Sequence, residues 1–267
     1  MKRPNRDLGE RVGGIIIMKK IPTLFERTFD EKGDIVGISP KVTEGMEWVL
    51  EGDGVATVKY DGACCCIING FLFKRYDAKK GKKPPEGAIP CCPPDPITGH
   101  HPHWVKCNRE DPADKWFYAA FDSTKRSYGY LGDGTYEAIG PHFQGNPYNL
   151  SEDILVRHGT KIVAVNRTFQ DIKAFLWANN IEGLVFWKGG EPQCKIKRTD
   201  FDFPWNSKKA RTTTAKWRHT GMYGNGTAFA PMVKLYQCSY CDACSVLQYD
   251  KCPECHMNME KCDEEEL

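Results

Sequence analysis

Residues 55–76 read Val-Ala-Thr-Val-Lys-Tyr-Asp-Gly-Ala-Cys-Cys-Cys-Ile-Ile-Asn-Gly-Phe-Leu-Phe-Lys-Arg-Tyr. Residues 55–60 alternate in the manner of a strand, residues 63–68 form a short apolar run, and residues 71–76 follow after Asn69-Gly70. An Asn-Gly pair between two strand-like runs is the strongest short-range hairpin signal, because both turn residues must take positive φ. With Asn69-Gly70 as the two-residue loop, Ile68 stands opposite Phe71 and Cys64 opposite Arg75. Arg75 is thereby folded back beside Cys64, five residues past Lys59.

Outward from this hairpin the chain reads as α+β with mostly antiparallel neighbours. Residues 79–104 hold a lysine run (Lys79, Lys80, Lys82, Lys83) and Pro84, Pro85, Pro90, Pro93, Pro94 and Pro96, which predicts a loop-like excursion over the surface. Asp133-Gly134 is a turn signal, and residues 135–139 a strand ended by Gly140-Pro141. Residues 167–179 predict a helix: Thr168 with Asp171 resembles a capping box, and Phe169, Ile172, Phe175 and Leu176 share a face. Residues 181–187 then read as a strand, Gly189-Gly190 as a turn, and residues 194–197 as the next strand. No internal repeat is visible.

At 267 residues, with 40% hydrophobic residues, the chain has enough apolar material for a real core, which excludes global disorder. No apolar run approaches the roughly 18–20 residues of a membrane span. The run Ile15 to Met18 is also shorter than the roughly 7–15 residues of a signal-peptide core. A cytoplasmic protein without a membrane partner is expected. The net charge of +2 does not point to nucleic acid, so any such contact must come from local patches. Of the thirteen cysteines, six (Cys238, Cys241, Cys244, Cys252, Cys255 and Cys262) crowd the C-terminal end, which favours metal over a disulfide scaffold.

The chemistry gathers in an ordered set. Lys59-Tyr60-Asp61-Gly62 leads into the hairpin, Glu137 lies in a strand after a turn, and Glu182-Gly183 opens a short apolar strand. Lys195-Ile196-Lys197 puts two lysines on one face of a strand, since side chains alternate. A free lysine has a pKa of about 10.4, so only about one in a thousand is neutral near pH 7.4. Desolvation and neighbouring cations both favour the neutral amine that a nucleophile must be. The same cations would stabilise charge developing on phosphate oxygens. Carboxylates suit Mg²⁺, a hard ion with oxygen ligands. Each residue alone is unremarkable as a solvated surface group; their order and spacing together are specific.

In that order and spacing, residues 20–203 resemble the covalent nucleotidyltransferase superfamily, which comprises ATP-dependent DNA ligases, RNA ligases and mRNA capping enzymes. The resemblance implies that Lys59 attacks the α-phosphate of ATP and holds AMP as a phosphoramidate, with Asp61 and Gly62 completing its motif. It implies that Glu137 contacts the nucleotide ribose or shapes the lysine's surroundings, and that Glu182 serves Mg²⁺ (or Mn²⁺), Glu137 being a second metal candidate. Lys195 and Lys197 would contact the α-phosphate. The family's basic residue downstream of the nucleophile is placed at Arg75, with Lys74 as the alternative.

DNA ligases and capping enzymes follow the last of these motifs with an OB-fold domain. Only 70 residues follow Lys197 here, about 30 of them in the cysteine tail, so an OB barrel of usual size does not fit. Residues 135–147 (Thr-Tyr-Glu-Ala-Ile-Gly-Pro, then Gln-Gly-Asn-Pro) and Lys82-Lys83-Pro84-Pro85 look like a group of viral and microbial RNA ligases. The segment 79–104 has no counterpart in the better-known ligases. The expectation is an ATP-dependent enzyme that joins RNA 3′-OH and 5′-phosphate ends, with DNA or RNA/DNA hybrid ends left open. DNA nick sealing and GTP-dependent capping are alternatives, as is a non-catalytic RNA-binding protein on an inactive scaffold. The expected organisation is an extension (1–17), an adenylation domain (18–205), a basic Gly-rich linker (206–234) and a zinc-ribbon tail (235–267).

In the tail, Cys238-x2-Cys241 and Cys252-Pro-Glu-Cys255 are two knuckles ten residues apart, spaced to close a tetrahedral structural Zn²⁺ site. The first knuckle is ambiguous, since Cys241 and Cys244 form another such pair, and His256 and Cys262 are spare donors. So short a segment has little core, and the metal would supply its fold. Upstream, Cys91, Cys92, His100, His101, His103 and Cys107 are read as surface loop residues rather than a second metal site. Cys64 to Cys66 alternate faces on a strand and are read as small buried side chains. Between Asp202 and Asp242 there is no acid but six basic residues (Lys208, Lys209, Arg211, Lys216, Arg218, Lys234), with Trp205, Trp217 and Tyr223 among them, as an RNA-stacking surface would need.

Overall fold

Asn69 and Gly70 take positive φ angles of 50° and 77°, and the strands on either side pair antiparallel from Ile68↔Phe71 to Cys65↔Lys74. The register is the predicted one, and its continuation by one residue sets Arg75 against Cys64. The computed structural model describes residues 11–12 and 15–205, together with three short strands further on. In chain order the strands and helices are β1 (Arg11–Val12), β2 (Ile15–Ile16), β3 (Phe25–Phe29), β4 (Ile35–Val42), β5 (Val55–Lys59), β6 (Ala63–Ile68), β7 (Phe71–Ala78), β8 (Ile89–Pro90) and β9 (His101–Lys106). Then come α1 (Lys115–Tyr128), β10 (Gly134–Ile139), β11 (Ile154–Arg157), β12 (Ile162–Val163), α2 (Phe169–Ala178), β13 (Gly183–Lys188) and β14 (Glu191–Lys197). The last three are β15 (Tyr236–Gln237), β16 (Cys244–Ser245) and β17 (Glu260–Lys261), an antiparallel set with β15 in the middle. The class is mixed α+β with mostly antiparallel sheets and few helices, as predicted. The linker 206–234 and Cys238, Cys241, Cys252 and Cys255 of the expected ribbon lie outside the described residues. Among the described residues, no helix is long and apolar enough to cross a membrane.

The chain divides into two compact units. The first comprises the chain up to Pro22, Tyr60–His158 and Gly189–Pro192. Its sheet runs β11-β10-β6-β7-β9-β8. One face buries Cys65, Ile67, Leu72, Tyr136, Ala138 and Leu155 with Ala120 of α1; the other buries Cys66, Ile68 and Phe73 with Ile16, Cys91 and Trp104. Adjacent cysteines therefore serve opposite cores, as strand alternation requires. Burial pushes the thiols of Cys65 and Cys66 well up, and those of Cys91 and Cys107 to about 12, so they act as small apolar fillers.

Three expectations do not hold in this unit. Residues 79–104 are not wholly a surface excursion: β8 and the start of β9 complete the sheet, and Trp104 is fully buried, its indole N–H donating to the Ile16 carbonyl (2.8 Å). Pro90 is tolerated because it lies on the edge strand, where a missing N–H breaks no ladder. Cys91, His103 and Cys107 are accordingly buried rather than loop-surface residues. Ile16, placed in the expected extension 1–17, is a core residue.

The second unit comprises Thr23–Lys59, Gly159–Lys188 and the chain from Gln193 onward. It holds the sheet β12-β5-β13-β14, the hairpin β3–β4 and α2. Thr168 caps α2, its hydroxyl oxygen accepting from the Asp171 N–H (3.1 Å), so the predicted cap is the observed one, with the helix starting two residues later than predicted. Ile172 and Leu176 pack on Leu24, Phe25, Ala56, Leu184, Phe186, Cys194 and Ile196. Each such large apolar side chain contributes on the order of 1.5–3 kcal/mol by leaving water. Because Ala56, Leu184, Phe186, Cys194 and Ile196 fill this face, their sequence neighbours Lys59, Lys195 and Lys197 fall on the opposite one.

Candidate active site

In the second unit, β5 ends on Lys59, paired in register with Gly183, so Glu182 sits one residue outside that pair. The Lys59 ammonium forms an ion pair with Glu182 Oε2, both side chains being largely shielded. Gly183 is required by space: a Cβ there would lie 2.1 Å from the Ile196 carbonyl oxygen on β14. The closeness of β13 to β14 brings Lys195 to the same region, and burial, helped by Lys59, Lys197 and Arg27, pushes its ammonium down to about 8. Arg27 of β3 lies 3.4 Å from Asp200, and its buried Nε has no partner. Asp200 in turn accepts the Lys197 N–H (2.8 Å). Three lysines and an arginine thus gather around Glu182 and Asp200, an arrangement that suits a polyanion such as a phosphate chain. A shallow cavity of about 380 Å³, lined by Thr23, Phe25, Glu26, Arg27, Phe29 and Thr43, shares Arg27 with this cluster.

The depressed Lys195 gives a pH prediction. Below about pH 8 the folded protein holds a buried ammonium at a cost. Between about pH 8 and 10.5 the unfolded chain binds the proton that the folded protein has lost, so this residue's cost shrinks as pH rises. Lys195→Met is therefore expected to unfold at higher urea than the parent at pH 7, with the gain shrinking by pH 10. A lower midpoint at pH 7 would contradict the burial argument.

In the first unit, the register sets Glu137 of β10 against Cys64 of β6, and Arg75 of β7 continues the row on the same face. Arg75 lies 4.0 Å from Asp77, and its charge favours the thiolates of Cys91 and Cys92. Lys74, the alternative, points to the other face and is committed to the buried Asp114. Glu137 is fully engaged: Oε1 accepts the Gly62 N–H (3.1 Å) and Oε2 meets His158 Nε2 (3.0 Å). Asp61 donates its N–H to the Tyr148 hydroxyl (2.6 Å), and the Gly62 carbonyl accepts from Gln144 Nε2 (3.0 Å).

The sequence-predicted residues therefore fall into two groups. Lys59, Glu182, Lys195 and Lys197 come together in the second unit, and Asp61, Gly62, Glu137 and Arg75 belong to the first. Arg27, Asp200, Gln144, Tyr148 and His158 were not foreseen. For Gln144 and Tyr148 a signal existed, since the Gln-Gly-Asn-Pro run stood out beside Glu137, but no spacing rule pairs it with residues 61 and 62.

Among the described residues, no group of three or more His, Cys, Asp or Glu is arranged to hold a metal ion. Glu182, a largely shielded carboxylate, has the chemistry of a hard-cation ligand. Glu137, with both oxygens serving protein partners, does not fit that role as placed. No family model and no curated protein sequence matches the chain.

Proposed function

We propose that the chain is an ATP-dependent RNA ligase of the covalent nucleotidyltransferase kind, with its adenylation machinery within residues 18–205 and a zinc ribbon at 235–267. The observation that carries this reading is the setting of Lys59: a shielded lysine at a strand end, gripped by Glu182, with Lys195 and Lys197 on the same sheet face.

In the proposed cycle the Lys59 nitrogen, released from Glu182 and rid of one proton, attacks the α-phosphorus of ATP. A P–N bond forms, the bond from that phosphorus to the bridging oxygen breaks, and pyrophosphate leaves. A 5′-phosphate oxygen of RNA then attacks the same phosphorus, the P–N bond breaks, and the lysine recovers its proton. A 3′-hydroxyl finally attacks the activated 5′-phosphorus, forming the phosphodiester and releasing AMP. Lys195 and Lys197 would steady the phosphate oxygens as charge moves onto them. Bound at Glu182, Mg²⁺ (or Mn²⁺) would supply neutralisation of phosphate charge.

Incubation with α-labelled ATP is expected to label the chain through an acid-labile bond, and ligation of 5′-phosphate RNA should follow. Labelling from GTP alone would favour capping, and labelling from neither would favour a binding protein. For the tail, one zinc per purified chain is expected; less than one after careful purification would count against the ribbon.

A further inference from the structure

The loop that follows β10 is held in an unusual conformation. Gln144, Asn146 and Asn149 take positive φ angles of 45°, 56° and 53°, sparsely populated values for residues with side chains. Asparagine enters this region readily, so the strain is that of Gln144, and such strain persists only where the surroundings fix it. Here the surroundings do fix it. Asn146 brackets Leu150, its Nδ2 donating to the Leu150 carbonyl and its Oδ1 accepting the Leu150 N–H, both at 2.9 Å. Phe143 is buried edge-on against Phe117 of α1 (5.4 Å), and His142 is bonded to Asp153 (2.7 Å) and stacked on Trp116.

The loop's side chains end on the backbone of the turn after Lys59. Tyr148 takes the Asp61 N–H, Gln144 supplies the Gly62 carbonyl, and Glu137, at the root of the loop, takes the Gly62 N–H while His158 holds its other oxygen. The Tyr148 ring also meets Tyr60 edge-on (5.4 Å). Two consecutive residues thus have their backbone groups served by side chains rather than by a strand ladder. An exposed glutamine and a half-buried tyrosine spent on a loop backbone do little for a core; they fix the path of the chain.

We propose that Tyr148 and Gln144 are positioning residues for lysine adenylylation, acting along the chain through the Asp61-Gly62 backbone, which Tyr60 joins to Lys59. This rests on the ligase reading above. Orientation of a reacting group carries large rate factors, so loosening the turn slows the step that uses Lys59. It spares the joining of an RNA whose 5′ end is already adenylylated, because that step does not use the lysine as nucleophile.

The test uses the full chain with Tyr148→Phe, Gln144→Ala and the double variant. Tyr148→Phe removes only the acceptor oxygen; lysyl-AMP formation should fall about tenfold, the worth of one hydrogen bond, and about threefold for Gln144→Ala. Sealing of pre-adenylylated RNA should stay within about twofold of the parent. Equal loss in both steps would mean a merely structural role, and loss in neither would also overturn the proposal. Amide hydrogen exchange at Asp61 and Gly62 is read in parallel and should speed up about tenfold in Tyr148→Phe. Unchanged exchange overturns the clamp whatever the protein catalyses. If the parent takes no label, the ligase reading fails and the positioning role in adenylylation falls with it, while the exchange data still decide whether the clamp exists.

Discussion

Lys59→Ala is expected to take no label from α-labelled ATP, a loss of at least about a thousandfold, because the substitution removes the only atom that would form the P–N bond. Lys59→Arg should be equally silent: it keeps the positive charge opposite Glu182, but a guanidinium stays protonated at any working pH and is no nucleophile. The pair of variants separates the two things a lysine does. If the role of Lys59 were to bind phosphate by charge alone, arginine would restore labelling and alanine would not. The fold should survive both. The ion pair with Glu182 is largely shielded, at 26% and 12% for the two side chains, and Lys59→Ala removes the carboxylate's ion-pair partner, so the loss should cost about 1–3 kcal/mol. The urea midpoint and sealing of pre-adenylylated RNA report that survival. Label persisting in Lys59→Ala would remove the basis of the proposed chemistry.

Gly62→Ala is expected to damage both stability and labelling. The backbone of Gly62 is not in the left-handed region, so the reason is space. A Cβ would lie 2.2 Å from the Ala138 carbonyl oxygen, 2.8 Å from Ile139 Cγ2 and 2.9 Å from Glu137 Cγ. The first of these atoms is backbone of β10, which pairs with β6 at Ala138↔Ala63, so relief requires the strands to part at that end. Parting them also draws Glu137 from the Gly62 N–H. Overpacking of this kind costs about 1–3 kcal/mol, and labelling should drop about a hundredfold even where the variant is folded. Gly70→Ala is the control. No atom lies within 4 Å of its Cβ, and its φ of 77° brings only backbone strain of about 1 kcal/mol, at a turn away from the chemistry. It should lose some stability and keep its labelling. Equal labelling by both variants would mean that the contact between Gly62 and β10 has no bearing on the site.

What could be read from the residues alone was what depends on local pattern. The Asn69-Gly70 turn, the Thr168 cap and the shared face of Lys195 and Lys197 follow from turn geometry, capping and strand alternation, and all are present. Local pattern failed where tertiary packing overrides it. α1 escaped detection because its inward side carries Ser123 and Thr124, both buried: Thr124 Oγ1 donates to the Ala120 carbonyl and accepts the Leu155 N–H, so a polar residue holds a core position and breaks the apolar period. β9 hid among prolines and histidines, yet Trp104 in its midst is among the most buried side chains of its unit. The β3–β4 hairpin was missed because its exposed residues Phe29, Ile35 and Val36 blur the alternation. Of the candidate site, the lysines and acids were legible through their order. Arg27, Tyr148 and Gln144 were not, since the contacts that define them join residues far apart in the chain.

The β5 strand pairs with β12 and β13, and the nearest of those partners comes about a hundred residues later in the chain. During synthesis, then, Val55–Lys59 emerges from the ribosome long before its ladder partners exist, and its ladder cannot close until Lys188 has been made. Neither unit is a single stretch of chain, so a nascent polypeptide cannot finish one before starting the other. Pairing over such separations is slow and leaves strand edges open meanwhile. Fragments ending near residue 158 should accordingly be poor starting points for expression, and a stall in translation there should feed aggregation rather than a stable half-protein.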